Sequence, residues 1–227
     1  KDGPWGIAVD PQRGFVYVAD TWNHRIQKFT TDGDFVSLWG VFDQAASPTD
    51  KPLAFYGPRA IAIDKDGNLY VTDTGNKRVS KFDPDGKPLA QYGGGGFDPG
   101  QFQEPVGIAI SPVDGSIYVA DTWNRRVQKF DKDMRPVAQW PVEAWDGQGV
   151  NNKPYLAVDA KNRVYLTDPE GFRVIVLDDK GAPVAVMGLP GKDNKGVDLP
   201  TGIALGKDGK IFIADTNNNR IVQWPAL

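Results

Sequence analysis

Short apolar runs follow one another from Gly6 to Trp224, each closed by a turn built from Asp, Gly, Pro or Asn. No stretch carries the spacing of an amphipathic helix, and none is introduced by a helix cap. The runs are short, β-branched and aromatic, as in Phe15–Ala19, Leu69–Thr72, Ile117–Ala120, Val164–Thr167 and Ile211–Ala214, and they read as strands. Many are apolar at consecutive positions instead of alternating, which predicts a sheet covered on both sides. With no helices to cover them, the covering layers must be other sheets.

The runs recur in a fixed order. Ala19–Phe29 reads ADTWNHRIQKF and Ala120–Phe130 reads ADTWNRRVQKF. The Asp of this stretch returns at Asp20, Asp73, Asp121, Asp168 and Asp215, at intervals of 53, 48, 47 and 47 residues. Five residues after each stands an arginine: Arg25, Arg78, Arg126, Arg173 and Arg220. Upstream of each Asp lies a second motif, GIAVD, AIAID, GIAIS, LAVDA or GIALG, preceded by Pro4, Pro58, Pro105, Pro154 or Pro200. Turns such as Asp64-Lys-Asp-Gly67 and Asp83-Pro-Asp-Gly86 separate successive strands as hairpin connections. Repeats of four antiparallel strands, stacked face to face, predict an all-β β-propeller. One domain, 1–227, then contains repeats at about 3–52, 53–102, 103–151, 152–198 and 199–227. The last repeat ends at Leu227 before a fourth, outer strand.

These residues carry a family resemblance. Pro-x-Gly-Ile-Ala-Val-Asp, then Tyr-Val-Ala-Asp-Thr-x-Asn-x-Arg-Ile, resembles the NHL repeat over essentially the whole chain. The fourth copy is the weakest, with Leu156 in place of glycine and no Asn after Asp168. The segments Val41–Tyr56 and Glu143–Lys153 are longer than the repeat requires. Propellers of this family usually have about six blades. Five repeats are therefore compatible with a five-bladed ring or with a six-bladed parent, and an incomplete ring would expose a blade edge open to self-association.

A residue that returns five times around a ring builds the unit that stacks, so the Asp and Arg positions read as a structural turn. The same holds for Asn23, Asn76, Asn124 and Asn218, expected to take positive φ and bond locally. Candidate recognition residues are those that vary within the frame. One variable slot follows Asp-Thr and holds Trp22, Gly75, Trp123, Glu170 and Asn217. Another precedes the first strand and holds Trp5, Arg59, Val106, Tyr155 and Thr201. Trp5, Trp22, Arg59, Trp123, Tyr155, Glu170 and Asn217 form the predicted ligand-binding set, with aromatic surface for contact and charged anchors.

Composition narrows the chemistry. Acids outnumber bases 29 to 26, so a polyanion-binding surface and a nucleic-acid partner are not expected. There are no cysteines, which removes disulfides, thiol nucleophiles and Cys-based metal sites. The single histidine, His24, sits in an exposed consensus slot and has no partner for catalysis in the sequence. That count also argues against a lyase whose zinc is held by histidines. Asp-x-Asp-Gly turns resemble calcium loops but lack the further ligands and flanking helices. No apolar run approaches about 18 residues, so membrane insertion by a helix is not expected. The chain opens on Lys1-Asp2-Gly3-Pro4 directly before a strand, as an excised domain would.

The resemblance implies a non-enzymatic binding, sensor or scaffold module that recognises a peptide, glycan or protein at the channel mouth. No catalytic residue and no metal site are assigned, and no cofactor is expected apart from a channel calcium. The alternative is a calcium-dependent hydrolase or lactonase-like enzyme on a six-bladed propeller. Composition leaves the compartment undetermined, with an extracytoplasmic setting favoured.

Overall fold

The computed structural model describes residues 3–147, 149 and 153–227. Lys1 and Asp2, and Gln148, Val150, Asn151 and Asn152 of the second long segment, lie outside the described residues. Strands form five antiparallel sheets, each in sequential order, and these are the blades of an all-β propeller fold. Blade one is Gly6–Asp10, Phe15–Asp20, Arg25–Thr30 and Phe35–Trp39; blade two is Pro58–Ile63, Leu69–Asp73, Arg78–Phe82 and Pro88–Gly93. Blade three is Pro105–Ile110, Ile117–Asp121, Arg126–Phe130 and Pro136–Pro141. Blade four is Leu156–Val158, Val164–Asp168, Arg173–Leu177 and Pro183–Met187, and blade five has three strands, Pro200–Leu205, Ile211–Asp215 and Arg220–Trp224. The chain divides into two compact units, Lys1–Ile108 and Ala109–Leu227.

Each unit has its own core, made where one blade covers the next. In the first unit Tyr17, Ala19, Ile26 and Trp39 of blade one pack on Ile61, Leu69, Val71 and Phe82 of blade two. In the second, Tyr118, Ala120, Val127 and Trp140 of blade three meet Leu156, Val164, Leu166 and Leu177 of blade four. Blade four then covers Ile211, Ile213, Val222 and Trp224 of blade five, using Tyr165, Val174 and Val176. Fully burying a side chain of this size contributes about 1.5–3 kcal/mol, so these apolar seams supply most of the cohesion. Side chains on both faces of a strand take part, which is why the runs do not alternate. The innermost strands of blades one and two approach closely at Gly6, where a Cβ would collide with the Arg59 carbonyl oxygen.

The strand-two to strand-three turn is built alike in all five blades. Arg Nε donates to the Asp carboxylate at 2.7 Å (Arg25–Asp20), 2.9 Å (Arg78–Asp73), 2.9 Å (Arg126–Asp121), 2.8 Å (Arg173–Asp168) and 2.7 Å (Arg220–Asp215). Asn23, Asn76, Asn124 and Asn218 each donate an amide hydrogen to the same carboxylate. Positive φ falls not on these asparagines but one residue later, at His24, Lys77, Arg125, Phe172 and Asn219. The Asn side chain is held by the carboxylate, and the chain reverses at its successor.

Arg78 and Arg220 reach further. Arg78 donates to the carbonyls of Pro48, Asp50, Lys51 and Ala54, which belong to the long connection entering blade two. Arg220 holds the carbonyls of Lys192, Asp193 and Gly196 before blade five in the same way. The carboxylates take part as well: Tyr56 N–H donates to Asp73 at 2.7 Å and Asp198 N–H to Asp215 at 2.6 Å. Burial pushes the Asp73 carboxyl up, against the pull of the Tyr56 amide, Arg78 and Asn76. At Asp215 burial also raises the value, but the Asp198 amide, Arg220 and Asn218 outweigh it and hold the carboxyl below its ordinary range.

His24 also ties the connection that enters blade two. Its Nδ1 accepts from the Gly57 N–H at 3.0 Å, and its ring lies 4.5 Å from Phe42 and 6.0 Å from Tyr56. Burial lowers the imidazole pKa, and a proton on Nδ1 would face the Gly57 donor.

Two stability measurements test this reading. Arg78→Ala leaves a buried carboxylate and several carbonyls without their donor, and should cost about 3–5 kcal/mol in urea unfolding. Arg135→Ala, on a side chain 77% exposed, is the control and should change stability by less than about 0.5 kcal/mol. For His24 the folded pKa lies below the unfolded one, so its contribution is complete above pH about 6.5 and is lost as pH falls through the folded value. His24→Asn, which places in blade one the residue that blade five has at Asn219, should flatten the fall in stability as pH drops below about 6.5, read by thermal melts.

Candidate functional site

The strand-two to strand-three turns face solvent, and their variable residues differ in what surrounds them. Single 3-10 turns, Thr21–Asn23, Thr74–Asn76 and Thr122–Asn124, follow the Asp in blades one to three. The buried Thr anchors the turn: Thr21 Oγ1 donates to the Pro58 carbonyl at 2.7 Å and Thr74 Oγ1 to the Pro105 carbonyl at 2.6 Å, each in the next blade. The residue after Thr carries no such load, and it projects where a ligand could reach it. Trp22 is 43% exposed and Trp123 is 55% exposed.

In the first unit three of the predicted residues come together. Trp5 meets Trp22 edge to face, with ring centroids 6.1 Å apart and planes at 82°. The Arg59 guanidinium carbon stands 4.2 Å from the Trp5 ring centroid, and Arg59 is only 7% exposed. A buried cation thus backs one indole, which in turn backs the exposed one. Phe42 and Tyr56 add aromatic surface next to His24, with their centroids 5.5 Å apart. Both are exposed at the surface. Tyr56 occupies the space left by Gly75, where a Cβ would lie 2.5 Å from its ring. The blade-two turn therefore has an aromatic group over it, supplied by the preceding connection.

Trp123, Tyr155, Glu170 and Asn217 belong to the second unit. Trp123 has the Lys153 ammonium 5.4 Å from its ring centroid, and Lys153 is buried. Arg125, on the same turn as Trp123, pairs with Asp146 at 3.0 Å. Tyr155 is half-buried, and its backbone N–H donates to Thr167 Oγ1 at 2.8 Å. Glu170 is exposed. Asn217 is exposed too, but its side chain donates to the Asp198 carboxylate at 3.0 Å and its own N–H to the Asp198 carbonyl. Trp145, from the second long segment, is buried and donates Nε1–H to the Thr167 carbonyl, so it is a core residue.

Phe42, Tyr56 and Lys153 were not among the residues singled out from sequence. All three lie on segments longer than the repeat requires, and an excess of chain at a blade connection is the signal that could have found them. Among the described residues, no three His, Cys, Asp or Glu side chains are grouped so as to hold a metal ion. No helix of the described residues is long and apolar enough to cross a membrane.

Comparison with known proteins bears on the scaffold more than on the site. The NHL repeat model matches residues 2–29, 55–82, 102–130 and 198–224, which fall on blades one, two, three and five. Mouse peptidyl-glycine alpha-amidating monooxygenase is similar over 90 residues at 36% identity, covering 39% of this chain and 9% of that protein. Lactonase drp35 of Staphylococcus haemolyticus (strain JCSC1435) is 28% identical over 91 residues, 38% of this chain and 26% of its own length. This chain thus spans well under two thirds of either relative. A chain in the crystal structure of a nidogen/laminin complex superposes with a TM-score of 0.70 at 20% identity, over 98% of this chain and 75% of that one, a likeness of fold. The matched repeats coincide with antiparallel blades that each carry the Asp–Arg turn, and on that basis the chain belongs to the NHL-repeat β-propeller family.

Proposed function

We propose that this domain is a non-enzymatic recognition module that binds a peptide, glycan or protein partner through the aromatic residues of its strand-two to strand-three turns. The observation that carries the reading is Trp22: an indole 43% exposed, seated against Trp5, which stacks on the 7% exposed Arg59. The scaffold does not need it, since Gly75 and Asn217 stand at the same slot in blades two and five. An exposed Trp held in one orientation loses little side-chain freedom on binding, and Trp, Tyr and Arg are the residues on which interface energy concentrates. Trp123 offers a second such ring in the other unit.

A second reading is favoured by the local similarity to a lactonase: a calcium-dependent hydrolase, with the cation held in the channel. It predicts saturable calcium binding in a calorimetric titration and turnover of a lactone substrate. The recognition reading predicts neither as a condition of ligand binding.

Peptide and glycan arrays probed with the wild-type chain, followed by titration of the strongest ligand, test the proposal. Trp22→Ala should weaken that ligand by about 2 kcal/mol, or roughly thirtyfold, with circular dichroism confirming that the variant keeps its fold. Unchanged affinity in Trp22→Ala and in Trp123→Ala would exclude these turns as the binding surface.

A further inference from the structure

The connection that enters blade two contributes two rings to a cluster of three. Phe42 stands 4.5 Å from His24 and 5.5 Å from Tyr56, ring centre to ring centre, and His24 and Tyr56 are 6.0 Å apart. Phe42 and Tyr56 ride on backbone that is itself held. Asp43 N–H donates to the Phe55 carbonyl at 3.2 Å on one side of Phe42, and Val41 N–H to the Leu53 carbonyl at 3.1 Å on the other. Tyr56 is fixed through its N–H on Asp73 and through its carbonyl, which accepts from Gly75 N–H at 2.8 Å. Phe42 is nonetheless 58% exposed and Tyr56 39% exposed, and Val41 and Leu53 of the same connection are exposed as well. An ordered aromatic patch left to solvent on a surface connection is a mark of an interaction site.

Its chemistry selects a class of ligand. Rings with centres 4.5–6.0 Å apart are in contact with one another, so a ligand must lie across their outer surfaces and not between them. The polar atoms they offer are donors. His24 Nδ1 accepts from Gly57 N–H, which places the proton of the neutral imidazole on Nε2. Burial, by lowering the pKa, favours that neutral ring. The Tyr56 hydroxyl makes no hydrogen bond to another described residue. The charges of the connection are already engaged: Lys51 pairs with Asp43 at 2.9 Å, and Asp50 accepts from the Ala46 N–H at 3.2 Å. Apolar rings with outward donors and no spare charge complement a chain that is apolar and rich in unbonded carbonyls. Polyproline II is such a chain, since its pyrrolidine rings are apolar and its carbonyls have no partner within the helix. A saccharide, by contrast, brings hydroxyl hydrogens that need acceptors, and those carboxylates are taken.

We infer that the surface formed by His24, Phe42 and Tyr56 is a binding site for a proline-rich segment in the polyproline II conformation. The prolines pack on Phe42 and Tyr56, while their carbonyls accept from the Tyr56 hydroxyl and from His24 Nε2–H. Such a ligand is stiff before it binds, so docking on rings already held in place costs little ordering on either side. The site goes beyond the recognition reading above and does not require Trp22.

Calorimetric titration of the full chain with an oligoproline peptide tests this. A glycine-serine peptide of equal length and maltohexaose are the comparison ligands, and circular dichroism confirms that each variant folds. The wild type should bind oligoproline saturably and neither of the other two. Phe42→Ala should weaken binding about tenfold or more, and Tyr56→Phe, which keeps the ring and removes the donor, about threefold to tenfold. Trp22→Ala should leave it unchanged. Absence of oligoproline binding overturns the inference, as does equal affinity in the wild type and Phe42→Ala. Maltohexaose binding that Phe42→Ala abolishes overturns it in favour of a glycan. Oligoproline binding lost in Trp22→Ala and kept in Phe42→Ala would move the ligand to the turn, which sinks this site and spares the recognition reading.

Discussion

The Asp–Arg pair at the strand-two to strand-three turn is the interaction on which the rest of the architecture depends. A carboxylate at the end of a strand collects donors from its own turn, and the arginine that opens the next strand closes the circuit. Alone, this would only stabilise a hairpin corner. In blades two and five the same two residues also bind the connection that enters the blade, through Tyr56 and Asp198 amides on the acid and a row of carbonyls on the base. One ion pair thus fixes where a blade turns and where the chain arrives from its predecessor. Without the arginine those carbonyls would lose their donor.

That division of labour explains why recognition and scaffold can share a single stretch of sequence. Asp20, Asn23 and Arg25 hold the turn, Thr21 holds the neighbouring blade, and Trp22 between them is left over. A residue with no structural duty, on a rigid turn facing solvent, can change from blade to blade without disturbing the fold. Its neighbours then decide its character. Trp22 is supported by Trp5 and Arg59, Trp123 has Lys153 beside it, and Gly75 gives way to Tyr56.

The repeat, its five-fold recurrence, the hairpin chemistry and the propeller class were all legible in the sequence, because they depend on local turn rules and on strands apolar along both faces. So was the three-stranded last blade, since the chain reaches Leu227 before another run begins. The left-handed residue was misplaced by one position, because the Asn signal for positive φ was outweighed by a carboxylate three residues back that holds its side chain. What only the tertiary structure decided is which variable residues meet. Trp5 and Arg59 are more than fifty residues apart in sequence, and nothing local places a guanidinium on an indole. Support was likewise decided there: Trp22 and Trp123 stand at the same point of the same motif, yet Trp5 lies against one and the Lys153 ammonium beside the other. A repeat sets the slot in every copy, but which residues surround it is a property of the tertiary structure.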